Sequence, residues 1–148
     1  AWNGRLWVKL TPQAADIAAV ARAVEAEGAD AIVCANTWLG MAMDMSTGKP
    51  AFDRVVAGLS GPAVFPLALR AVWQVCGAVK IPVVGCGGVS NASDCAAMLL
   101  AGASAVEVGS AFFADVKAGA TICGGLPEFV KRYGASKLSE LIGRARIS

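Results

Sequence analysis

Apolar and polar positions alternate in blocks along this chain, and the blocks change period. "RLWVKL" (Arg5–Leu10) reads as a short strand. Thr11-Pro12 follows it, a predicted N-cap and a proline at the first helical position. Ile17, Val20, Ala21 and Val24 then recur at helical spacing, so a helix is predicted to about Glu27, with Gly28 as its stop. "DAIVCAN" (Asp30–Asn36) is a second strand, and a long irregular stretch from Thr37 to about Gly61 follows. Leu69, Val72, Trp73, Cys76 and Val79 mark a second helical face, "IPVVGC" a third strand, and Ala92, Cys95, Ala96 and Leu99 a third helix stopped by Gly102. "SAVEVG" (Ser104–Gly109) is a fourth strand. The tail carries a short apolar helix around Leu126–Tyr133 and a weaker one at Lys137–Ile142.

Strict alternation of strand and helix implies parallel strands joined by right-handed crossovers. There is also an internal repeat: "EGADAIVCANT" (Glu27–Thr37) matches "AGASAVEVGSA" (Ala101–Ala111), two βα units apart. Repeated βα units fit a (β/α)8 TIM barrel better than a doubly wound sheet. Four strands are about half of one, so the chain is read as the last four βα units. Two raw sheet edges would follow, and an isolated half is expected to aggregate, dimerise or need its other half.

Composition narrows the class. The chain has 148 residues, of which 56% are apolar, more than the usual roughly 45–50% and suited to a sheet buried by helices. The longest uncharged run, Val55–Leu69 apart from its glycines and prolines, is too short and too broken for a membrane span. A net charge of +2 with scattered Lys and Arg gives no nucleic-acid footprint. Five cysteines without a CxxC argue against a disulfide framework and for a reducing cytoplasm. Cys34, Cys76 and Cys95 read as buried thiols. There is no histidine, so acid–base chemistry must come from other side chains or a cofactor. No cluster has metal-ligand spacing. The start, "AWNGRLWVKL", has neither an initiator Met nor a signal-peptide pattern, so a start within a longer protein is expected.

Candidate chemistry sits at the strand ends, where a barrel binds its ligands. Gly87 and Gly88 follow the third strand, Gly109-Ser110 the fourth, and "GLSGPA" (Gly58–Ala63) precedes a helix. Such turns either serve only to reverse the chain or let backbone amides approach a phosphate, helped by the free amides of the next helix N-terminus. Three of them at successive element ends favour the phosphate. Lys9, in an apolar strand, is either a snorkelling edge residue or a cation aimed at an anionic or electron-rich ligand group. Asn36-Thr37 form an ordinary turn or offer an amide and a hydroxyl to a small polar substrate. Glu107 is expected to be hydrogen-bonded structure, facing either the barrel interior or the helices.

Five segments together, "VKLTP", "ANTWLGMAMD", "KPAFDRVVAGLSGPAVFPLALRAVWQV", "IPVVGCGGVSNASD" and "AGASAVEVGSAFF", resemble the C-terminal half of the dihydroorotate dehydrogenase family, in particular its bacterial, NAD-linked, two-subunit form. The likeness runs from about Leu6 to Ile142. It implies an FMN-binding barrel domain, with residues 1–148 as its C-terminal half, that oxidises dihydroorotate to orotate in pyrimidine biosynthesis. By this resemblance Lys9 and the main chain of Ala35 contact the flavin, and Asn36 and Thr37 hold orotate. Gly61, Gly87, Gly88, Gly109 and Ser110 complete the FMN cradle. Electrons would pass to a partner subunit carrying FAD and an iron–sulfur cluster, and the full-length chain would be a homo-oligomer. The family's base is a cysteine in the first half of the barrel. None of the five cysteines here stands in that motif, so no catalytic base is assigned. Ala35 stands where the family often has Ile, Ala57 where a Gly often precedes "GLSG", and Glu107 where Gln is common. The alternatives are a related FMN barrel acting on another pyrimidine, and a non-catalytic half-barrel that binds a phosphate-bearing ligand.

Overall fold

The computed structural model describes residues 3–146; the outermost residues of the predicted 1–148 unit, 1–2 and 147–148, lie outside the described residues. Strand β1 (Trp7–Lys9) leads to helix α1 (Ile17–Ala26) and strand β2 (Ala31–Cys34). The predicted start of α1 at Thr11-Pro12 is corrected. Asp16 is the N-cap, its carboxylate accepting from the Ala19 amide at 2.9 Å, and Thr11 instead closes a turn through the Gln13 amide. Both threonine and aspartate can cap, and only the path of the loop chooses between them.

The stretch from Thr37 to Gly61 is not irregular. It is a β-ribbon: β3 (Trp38–Met41), β4 (Met43–Asp44), β5 (Lys49–Pro50) and β6 (Val56–Leu59). Antiparallel pairs β3–β6 and β4–β5 close it, with Trp38 opposite Leu59. At the tip, Asp44 accepts from the Ser46 amide and from both the Ser46 and Thr47 hydroxyls.

A 3-10 turn at Pro62–Val64 opens helix α2 (Phe65–Cys76), which ends before the predicted Val79. Strand β7 (Val83–Cys86), helix α3 (Ala92–Leu100) and strand β8 (Ala105–Glu107) follow, then the short α4 (Ala111–Ala114) and α5 (Ala118–Arg132). Helix α5 is longer than the predicted Leu126–Tyr133 segment. Its glycines and Pro127 hide it from a propensity reading. A Cβ on Gly125 would lie 2.6 Å from the Ala92 Cβ, so the glycine is what lets α5 close on α3. The weak helix predicted at Lys137–Ile142 is a 3-10 turn, Leu138–Leu141.

The main sheet is parallel throughout, in the order β1-β2-β7-β8, so each successive βα unit adds its strand beside the last. A doubly wound sheet would reverse direction at a switch point. An unbroken sequential order with right-handed crossovers keeps the helices on one face, and this is the architecture of a partial (β/α)8 barrel. On the helix face Ile32, Cys34 and Val83 pack with Ala68, Val72, Val75 and Met98, all buried. Each large side chain there contributes about 1.5–3 kcal/mol. The strand register assigns Lys9, Val33, Val84, Cys86 and Glu107 to the opposite, inner face.

Candidate functional site

The C-terminal ends of the four parallel strands form the floor of a cleft of about 320 Å³. Lys9 reaches it from the end of β1. Ala35, Asn36 and Thr37 follow β2, Gly87 and Gly88 follow β7, and Gly109 and Ser110 follow β8. Residues separated by up to 101 positions are thus gathered by the rule that places βα loops together at one end of a parallel sheet. Gly61 is the exception. It lines an adjoining recess of about 230 Å³ that shares Val89 and Ser110 with the cleft.

The loop after β2 is held from both sides. The Ala35 amide donates to the Cys86 carbonyl and the Asn36 amide to that of Leu10, while the Asn36 side-chain oxygen accepts from the Thr37 amide. The Cys34–Ala35 peptide bond is cis. Both residues are exposed, and among the described residues the Asn36 side-chain NH2 and the Thr37 hydroxyl, which lies beside Gly58, have no protein hydrogen-bond partner.

The glycines divide into two kinds. Gly88 has φ +73°, and a Cβ there would sit 2.6 Å from the Phe65 nitrogen and 2.9 Å from the Gly61 oxygen. It is required by the packing of the β7 loop onto the start of α2. Gly109 has nothing within 4 Å of where its Cβ would be, so it borders open space. Among the described residues, the backbone amides of Gly87, Gly88, Gly109 and Ser110 donate to no protein acceptor. The expected donors at the N-terminus of α3 are less free. Asn91 caps the Asp94 amide, and the Asp94 carboxylate accepts from the amide and hydroxyl of Ser90. Among the described residues, amides without a protein acceptor are thus found at the glycine turns and at Ala92 and Ser93 in the first turn of α3.

Electrostatics centre on Lys9. Its ammonium lies 3.2 Å from a Glu107 carboxylate oxygen and 3.5 Å from the Cys86 sulfur. Burial opposes the charge on Lys9, but the hydrogen bond and charge of Glu107 and the neighbouring Cys86 sulfur together outweigh it and raise its pKa above the ordinary lysine value. Burial likewise pushes the Cys86 thiol up, against the pull of Lys9. Glu107 is hydrogen-bonded as expected, on the inner face. Its partnership with Lys9 was not legible, nor was the ribbon wall of Trp38, Leu59 and Ser60, nor Phe113 at the rim. Trp38 and Leu39 are adjacent apolar residues, so no alternation along the chain marked the ribbon. Burial places the Cys34 thiol at about 12 and those of Cys76 and Cys95 at about 11, so these act as core thiols; Cys76 is only half-buried.

Fold and cleft together define a class: a βα-barrel segment whose strand ends bring unpaired backbone amides, a lysine and an exposed amide–hydroxyl pair to one cleft. A family model for dihydroorotate dehydrogenase matches residues 3–130, and the chain belongs to that family. It is 47% identical over 143 residues to the protein of Porphyromonas gingivalis named dihydroorotate dehydrogenase B (NAD(+)), catalytic subunit, covering 97% of this chain and 47% of that one. Proteins of the same name from Desulforamulus reducens and Bacteroides fragilis are 49% and 45% identical, covering 95% and 99% of this chain and 46% and 48% of theirs. The chain thus spans about half the length of the curated relatives it matches.

Proposed function

We propose that this chain is the C-terminal half of a single FMN-binding barrel domain, residues 1–148, that oxidises dihydroorotate to orotate in pyrimidine biosynthesis. The observation that carries the reading is the convergence of Lys9, Asn36, Thr37 and the two glycine turns on one cleft at the strand ends. The residues fit FMN. Unpaired amides of Gly87, Gly88, Gly109 and Ser110 suit a phosphate, and the open space beside Gly109 leaves room for it. Gly61, in the adjoining recess, and the main chain of Ala35 complete the cradle, with Lys9 facing the ring. Asn36 and Thr37 hold the pyrimidine through their side-chain donors. FMN, when bound, supplies the redox chemistry by accepting hydride. The chain's own residues bind, orient and charge the site. None of them is assigned as the base that takes the proton lost by the carbon acid alongside the hydride.

The relatives' name, a catalytic subunit of NAD(+) type, supports a partner subunit. In this reading the partner carries FAD and an iron–sulfur cluster and relays electrons to NAD, and the full-length polypeptide is a cytoplasmic homo-oligomer. The test uses that full-length polypeptide. It should purify with FMN, and dihydroorotate should bleach the flavin absorbance without oxygen. Absence of flavin overturns the reading. Flavin that dihydroorotate cannot bleach assigns the cleft to another pyrimidine or to ligand binding without catalysis.

A further inference from the structure

Lys9 closes β1 and Glu107 closes β8, the two outer strands of the main sheet, with β2 and β7 between them. Neighbouring strands lie about 4.8 Å apart, so three steps make roughly 14 Å of arc. The ammonium and carboxylate nevertheless meet at 3.2 Å. They can do so because both lie on the concave face of a curved sheet and lean toward each other across it. The floor beneath them, Val33 and Val84, is buried and apolar. The two side chains are 44% and 42% exposed, so the pair does little for stability. Its consequence is local: it fixes where the charge of the cleft stands.

We propose that Glu107 is a positioning residue of this site, the counter-ion that holds the Lys9 ammonium in place across the strand ends beneath the bound ligand. The groups facing Lys9 are few among the described residues. Strand β2 contributes the apolar Val33, β7 the Cys86 thiol, the ribbon Trp38, Leu59 and Ser60, and the loops Asn, Thr, Gly and Ser. Glu107 is therefore the carboxylate that faces Lys9 in the cleft, and it favours the charged ammonium together with the Cys86 sulfur. The proposal rests on the flavin reading only for the identity of that ligand. There, an anion beside Lys9 offsets part of its attraction for added electrons, since charge near the ring tunes a flavin.

The test compares the wild-type full-length polypeptide with Glu107→Gln, which keeps a hydrogen-bond acceptor and removes the charge. With isotope-labelled lysine, an NMR titration of the apo protein should place Lys9 above the ordinary 10.5 in the wild type and lower it in E107Q. A wild-type midpoint at or below 10.5, or the same midpoint in both proteins, overturns the proposal. The wild-type arm stands even if the variant does not fold. In FMN-loaded protein, E107Q should raise the flavin reduction potential at neutral pH, where Lys9 is still charged. An unmoved potential overturns the positioning role. Failure to bind FMN at all removes the flavin reading and leaves the Lys9 titration as the test of Glu107.

Discussion

Gly88 and Gly109 both line the cleft, but they are glycine for different reasons, and substituting alanine at each separates packing from ligand access. At Gly88 the backbone is left-handed, φ +73°, and a Cβ would meet the nitrogen and Cα of Phe65 at 2.6 and 2.7 Å and the Gly61 oxygen at 2.9 Å. Those are backbone atoms at the start of α2 and cannot swing aside. Left-handed backbone costs a non-glycine residue roughly 1–2 kcal/mol, and overpacking a closed site typically adds about 1–3 kcal/mol. Gly88→Ala should therefore lose about 2–5 kcal/mol, a large share of the ~5–15 kcal/mol of a native protein. Gly109 lies outside the left-handed region and its Cβ would meet nothing within 4 Å, so Gly109→Ala should stay within about 0.5 kcal/mol of wild type. It should nonetheless weaken FMN retention, because the new methyl occupies the open space beside the unpaired amides. Urea unfolding of the full-length polypeptide, followed by circular dichroism, reads the first effect as a lowered midpoint at unchanged slope. Released flavin, followed by fluorescence, reads the second. The reasoning is refuted if G88A unfolds with the wild-type midpoint, or if G109A falls as far as G88A.

Two further outcomes follow from the charges and thiols. Ser46 and Thr47 hold the Asp44 carboxyl down at about 2, against the ordinary 3.8. A depressed folded value means that the ribbon tip gains stability above pH 3.8 and loses it as pH falls through about 2. Asp44→Asn should abolish this dependence, and an NMR midpoint for Asp44 near 3.8 would contradict it. Alkylation of the native protein, located by mass spectrometry, should modify exposed Cys123 first and Cys34 last, because Cys34 is fully buried with its thiol at about 12. Early labelling of Cys34 would mean that the core between sheet and helices opens.

What the sequence determined by itself is whatever nearest neighbours along the chain can encode. The runs around Ile32 and Val83 are short, apolar and β-branched, so they are strands in any context that buries them. The helical spacing of Ile17, Ala21 and Val24 exposes one face that must be covered. Strict alternation of the two kinds of element then leaves a parallel sheet with its loops gathered at one end. From there the cleft at Lys9, Asn36, Gly87 and Gly109 follows without coordinates. The tertiary structure alone decided the rest, and each case is a contact between distant segments. The ribbon exists because Trp38 meets Leu59 across a turn that no local pattern announces. Helix α5 runs through glycines and Pro127 because the close approach of Gly125 to Ala92 favours it over the chain's own propensity. Asp16 rather than Thr11 caps α1 because the loop path brings its carboxylate to the Ala19 amide. Lys9 finds Glu107, 98 residues away, because the sheet curves. Curvature is a property of packed strands, and no single strand carries it in its sequence.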